Sequence, residues 1–103
     1  MQTLDELTVN WEEDGVLKVR ELEKRVLTEQ GSWATVLFRF EERGTDGTFR
    51  SAKVQIRRYQ KRKNGWVYHS KFIIPSDEQA REIAATLLGW CGTAQEEVAP
   101  VGE

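Results

Sequence analysis

Three turn signals constrain the chain most: Gly31-Ser32, Gly44-Thr45-Asp46-Gly47 and Lys63-Asn64-Gly65 divide its middle into short segments. Glycine adopts backbone conformations closed to other residues, and an Asn-Gly pair is a strong short-range signal for a tight hairpin. Segments bounded this way have the length of strands rather than of long helices. Four strands joined by three hairpins are therefore expected.

The residues between the turns carry the period-two pattern of half-buried strands. In the second segment Ala34, Val36, Phe38 and Phe40 alternate with Trp33, Thr35, Leu37, Arg39 and Glu41. In the third, Ala52, Val54 and Ile56 alternate with Ser51, Lys53, Gln55, Arg57 and Tyr59. The fourth, Trp66 to Ile74, is aromatic and β-branched, and its parity assigns Tyr68, Phe72 and Ile74 to the core and His69 and Lys71 to the other face. The first segment, Val16 to Gln30, supports two readings. Leu17, Leu22 and Val26 suit a helical stripe with Glu21 and Arg25 at i,i+4, whereas Val16, Val19, Val26 and Thr28 suit a bulged strand, which is the preferred reading.

After Pro75-Ser76 the period changes. Ser76 followed by Gln79 is a capping-box pattern, with Asp77 and Glu78 in the first turn, and Ala80, Ile83, Ala84, Leu87, Leu88 and Trp90 recur at helical spacing. The expected fold is thus α+β: a four-stranded antiparallel twisted sheet followed by one C-terminal helix, ββββα, with the helix over one face and the other face open. Residues 1–15 form an acidic arm expected to be mobile, 16–92 the folded domain, and 93–103 a tail expected to be disordered. A core this small leaves much surface exposed, so a homodimer is expected.

Charge is segregated along the chain. Between Gly47 and Ser76 stand Arg50, Lys53, Arg57, Arg58, Lys61, Arg62, Lys63 and Lys71 and no Asp or Glu, so that segment carries +8 and leaves −10 for the rest of a chain of net charge −2. With the helix on one side, alternation assigns Arg39, Lys53, Gln55, Arg57, Tyr59, His69 and Lys71, together with Trp33 and Thr35, to the open face. Cations that track phosphates and flat rings on which bases stack are what single-stranded nucleic acid requires. The expected contact residues are Trp33, Arg39, Lys53, Arg57, Tyr59, Lys61, Arg62, Lys63, Trp66 and Lys71. The arm, with Asp5, Glu6, Glu12, Glu13 and Asp14, is expected to compete for the basic face.

Three stretches, Val16 to Phe40, the strand KVQIRRYQ at Lys53 to Gln60, and FIIPSDEQAREIAATLL from Phe72 to Leu88, together with the loop cations, carry a resemblance. The layout resembles the single-stranded-DNA-binding domain of the transcriptional coactivator positive cofactor four and its small bacterial relatives, and more loosely the Whirly and Pur-alpha proteins. The resemblance implies a homodimer joined through helices and strand edges, with single strands running across paired sheets. It matches Lys53, Arg57 and Tyr59 to basic and aromatic sheet residues and places Trp66 near a stacking position. A role in transcription regulation or DNA maintenance follows from the resemblance alone.

Two other binding readings stand beside it. If Val16 to Gln30 were helical, the order αβββα would resemble a double-stranded-RNA-binding domain, although Ser76-Asp77-Glu78 is acidic where that module is basic. A protein-interaction module would present the same cations to an acidic partner. Catalysis finds little support: His69 is the only histidine, Cys91 the only cysteine, and neither has activating neighbours in sequence. Neither zinc-ligand spacing nor a phosphate-binding glycine loop occurs. The expectation is a binding protein without cofactor, metal or small-molecule substrate. The lone cysteine and the lack of any apolar run of roughly 18 residues give a cytoplasmic location as the expectation, without a membrane partner.

Overall fold

The alternating segments pair in chain order, each with the next. A computed structural model describes residues 3–92. It is an α+β fold with one antiparallel sheet of five strands: β1 (Trp11–Glu13), β2 (Val16–Gln30), β3 (Trp33–Glu42), β4 (Lys53–Arg62) and β5 (Gly65–Ile74), followed by helix α1 (Asp77–Cys91). Among the described residues no helix is long and apolar enough to cross a membrane.

The strand not anticipated is β1, which folds back on β2 through Asp14 and Gly15, both at positive φ (54° and 79°). Residues 16–30 are one long strand, so the αβββα order does not form. Its mixed spacing has a local cause: register shifts between Glu21 and Glu23 and between Val26 and Thr28 take Leu22 and Leu27 out of the alternation. In the last hairpin Arg62 pairs with Gly65, leaving Lys63 and Asn64 as the loop, with Gly65 (φ 115°) inside the strand.

Residues paired across antiparallel strands share a face, and the register therefore decides what each face contains. Phe38 lies opposite Lys24 and Gln55, Val36 opposite Val26 and Arg57, and Ala34 opposite Glu29 and Tyr59. This inner face holds the core: Ala34, Val36, Phe38, Phe40, Tyr59 and Trp66, closed by Leu7 and Val9 from the N-terminal segment. The arm is thus not a loose tail. Thr3 precedes a single 3-10 turn at Leu4–Glu6, and the Lys24 ammonium donates to the carbonyls of Leu4 and Leu7. Asn10 Oδ1 accepts the Glu21 N–H, exposed at the first bulge of β2, at 2.6 Å. Burying side chains such as Leu7 and Val9 contributes about 1.5–3 kcal/mol each, which is why five carboxylates do not keep this stretch in solvent.

Helix α1 begins as expected, with Ser76 Oγ accepting the Gln79 N–H at 3.1 Å. It does not cover a sheet face: none of its residues is buried, and its main contact with the sheet is with β5. The inner face is already filled by the arm, which removes the vacancy the helix was expected to occupy. The expected tail, 93–103, lies outside the described residues.

Candidate nucleic-acid interface

The ten expected contact residues divide between two faces and the end of the last hairpin. Lys53, Arg57 and Tyr59 are on the inner face, whereas Arg39 and Trp33 are on the outer one, opposite Val54 and Gln60. Alternation within a strand defines two faces but does not say which matches the neighbour's core face, and the register here joins the polar side of β4 to the apolar side of β3. Gln55, 3 % exposed, is accommodated because Arg57 Nε donates to its Oε1 at 2.7 Å.

Two expected stacking rings are structural. Tyr59 is 2 % exposed and Trp66 7 %, both within the core cluster under the arm. Burial holds the Tyr59 hydroxyl above the usual phenol range, only partly offset by Arg57. Two expected phosphate contacts are already paired: Lys53 Nζ lies 2.8 Å from Glu42 Oε1, and Arg39 holds Asp77 in a fork. That fork raises the Arg39 pKa and keeps the Asp77 carboxyl below the usual carboxylate range.

The outer part of the β4–β5 hairpin keeps the expected character. Arg58, Lys61, Arg62, Lys63 and Lys71 are exposed and Arg57 is half-buried. The ion pairs among the described residues, Arg20–Glu41, Arg39–Asp77, Arg50–Asp46 and Lys53–Glu42, include none of the six. Arg57 lies directly opposite Lys71. Two like charges in that relation repel, and an anion between them relieves it.

Rings stand beside these cations. The Arg57 guanidinium carbon is 4.9 Å from the centre of the Tyr68 ring, and that of Arg58 is 4.4 Å from the centre of Trp33. His69 meets Trp33 edge-on with centroids 4.9 Å apart. Lys61 Nζ lies 5.7 Å from the Trp66 centre. Tyr68, 49 % exposed, takes the place Tyr59 was expected to hold. A register shift between Arg58 and Tyr59 reverses the parity of β5, setting Tyr68 opposite Tyr59 while Phe72 lies opposite Ile56. Tyr68 thus shares the inner face but stands on the edge strand, and Phe72 lies on the outer face, so both, expected in the core, are exposed. Arg58 was legible in the run of cations; Tyr68 was hidden by the bulge.

No family model matches the chain, and neither does any curated protein or solved structure. The functional reading therefore depends on the geometry of the hairpin. Among the described residues no three His, Cys, Asp or Glu side chains are grouped to hold a metal ion. What the hairpin offers chemically is cationic, hydrogen-bond-donating and aromatic, which suits a polyanion with flat bases.

Proposed function

We propose that the chain binds single-stranded nucleic acid along the β4–β5 hairpin. The observation that carries this reading is the set of six cations, Arg57, Arg58, Lys61, Arg62, Lys63 and Lys71, free of ion pairs among the described residues and flanked by the exposed ring of Tyr68 and the half-buried ring of Trp33. A phosphate between Arg57 and Lys71 relieves their repulsion, and Lys61, Arg62 and Lys63 at the hairpin end hold the next phosphates. Tyr68, with Arg57 above it, offers one stacking surface. Trp33 with Arg58 offers a second on the opposite face.

Cations on both faces of the sheet along β4 and β5 favour a flexible single strand, which can pass around the hairpin end and turn its bases to the rings, over a stiff duplex. DNA and RNA share the phosphates and the π-faces on which this reading depends. A fluorescein-labelled single-stranded 20-mer and the duplex of the same sequence test it by anisotropy. Tighter binding of the single strand, weakened by Tyr68→Ala, supports the proposal; equal or tighter duplex binding that ignores Tyr68 contradicts it. An acidic protein partner would use the same cations without a base to stack on Tyr68, so the same variant separates the two readings.

A further inference from the structure

Glu29 is a carboxylate on the core side of the sheet. Along an unbroken strand, residues three apart point to opposite faces. The second bulge of β2, between Val26 and Thr28, cancels one step, so that Val26 lies opposite Val36 and Glu29 opposite Ala34, both on the inner face. Glu29 is in no ion pair among the described residues. Lys24, the cation of β2 on that face, is engaged by the carbonyls of Leu4 and Leu7.

Between this end of β2 and the N-terminal turn lies an open cleft of about 410 Å³, lined by the apolar Leu4, Val26 and Trp66 and the polar Thr3, Asp5 and Glu29. Its N-terminal side is held in place by the Lys24 contacts and by the burial of Leu7 and Val9. Asp5, like Glu29, is exposed and in no ion pair among the described residues. Apolar lining with a few polar groups of one kind is the make-up of a site for a small flat molecule, here one that donates hydrogen bonds.

We propose that this cleft takes one base of the bound strand and selects bases that carry amino groups, guanine above all, with Glu29 as the principal acceptor and Asp5 as the second. The inference rests on the single-strand reading and adds a base preference to it. Trp66 lies opposite Lys61, whose Nζ is 5.7 Å from the ring centre, and Tyr68 is two residues away on the same face, about 7 Å along β5. A phosphate held by Lys61 therefore joins a nucleotide stacked on Tyr68 to one whose base enters the cleft. Trp66 is too buried to offer a stacking face and serves as a wall. An ionised carboxylate only accepts hydrogen bonds. Guanine presents N1–H and its amino group side by side to the two oxygens; cytosine and adenine present an amino group without a neighbouring N–H. Thymine and uracil flank their single N–H with carbonyl oxygens, which a carboxylate repels. The same carboxylates repel phosphate and so turn the backbone toward Lys61 and the base toward Glu29.

Anisotropy with three fluorescein-labelled single strands of equal length tests this. One is all thymine, one carries 7-deazaguanine at every third position and so cannot form four-stranded structures, and one carries 7-deazahypoxanthine there, which lacks only the amino group. The guanine-type strand is expected to bind about tenfold tighter than the thymine strand, with the hypoxanthine type between them. Glu29→Gln is expected to reduce that ratio below about threefold while thymine-strand binding is unchanged or tighter, since a negative charge is removed. Tyr68→Ala is expected to weaken all three strands and preserve the ratio. Equal binding of the three strands by the unmodified protein overturns the inference and leaves the single-strand reading standing. A preference that ignores the missing amino group, or that survives both Glu29→Gln and Asp5→Asn, also overturns it, because ring stacking then accounts for the difference. Binding of none of the strands overturns both readings. The comparison of the two modified strands needs no variant, so it holds whatever the substitutions do to folding.

Discussion

Arg39 donates from both terminal nitrogens to Asp77, at 3.0 and 3.1 Å, and so joins the outer face of β3 to the first residue of α1. Arg39 holds the Asp77 carboxyl below the usual carboxylate range. A depressed folded-state pKa means the pair stabilises the folded chain at pH values above the ordinary aspartate range, and the contribution is lost as pH falls through the lower value of Asp77 itself. A carboxyl-detected NMR titration is expected to show Asp77 protonating after ordinary aspartates. Asp77→Ala is expected to speed amide exchange in the first turn of α1 while leaving exchange in β3 and β4 unchanged.

The N-terminal segment behaves as part of the core. Leu7, 5 % exposed, belongs to the core cluster that also holds Phe38, Tyr59 and Trp66, so its truncation is expected to leave a cavity there. Leu7→Ala is expected to lower the unfolding free energy by about 2–3 kcal/mol in urea titrations followed by tryptophan fluorescence. The acidic residue Glu12 in the exposed β1, replaced by Gln, is expected to change it by less than about 0.5 kcal/mol.

Tyr59 and Tyr68, opposite each other across β4 and β5, are expected to respond differently. Tyr68→Ala removes an exposed ring and is expected to weaken single-strand binding by about 1–3 kcal/mol, with the salt dependence unchanged. Tyr59→Phe keeps the buried ring and is expected to leave affinity within error. Isothermal titration of both variants with one oligonucleotide checks the pair.

At the β2–β3 turn Gly31 has φ 60°, and a Cβ built there meets nothing within 4 Å. Gly31→Ala therefore has only a backbone cost, expected at about 1–2 kcal/mol in thermal or urea unfolding. Asp14, at φ 54° in the β1–β2 turn, gives the converse expectation. Asp14→Gly removes the same kind of strain and is expected to be neutral or stabilising by up to about 1 kcal/mol.

Local features were legible where a residue pattern acts locally. Gly31 and Gly65 mark turns, Ala34 to Phe40 alternate as a strand, and Ser76 caps a helix. Features set by the relation between elements were not. Lys53, Gln55, Arg57 and Tyr59 have the composition of a solvent face, yet their register with Val36, Phe38 and Phe40 places them on the core side, where long stems carry charged ends outward. Bulges at Leu22, at Leu27 and between Arg58 and Tyr59 shift parity without a glycine to mark them. Leu7 and Val9 were obscured by the carboxylates around them, and once they occupied the inner face the apolar stripe of α1 had no place there. The cationic end of the hairpin was legible because Lys61 and Arg62 close β4 and Lys63 opens the two-residue turn, where side chains on either face meet solvent.

Single-strand binding by this chain requires above all that the hairpin cations meet phosphates. The most direct measurement is the affinity of a single-stranded oligonucleotide for the unmodified chain and for a Lys61→Ala, Arg62→Ala, Lys63→Ala triple variant, across salt concentrations. The predicted result is a linear fall of log affinity with log salt, whose slope becomes shallower by about 2 in the variant. Binding absent at low salt, or a slope identical in the two proteins, contradicts it.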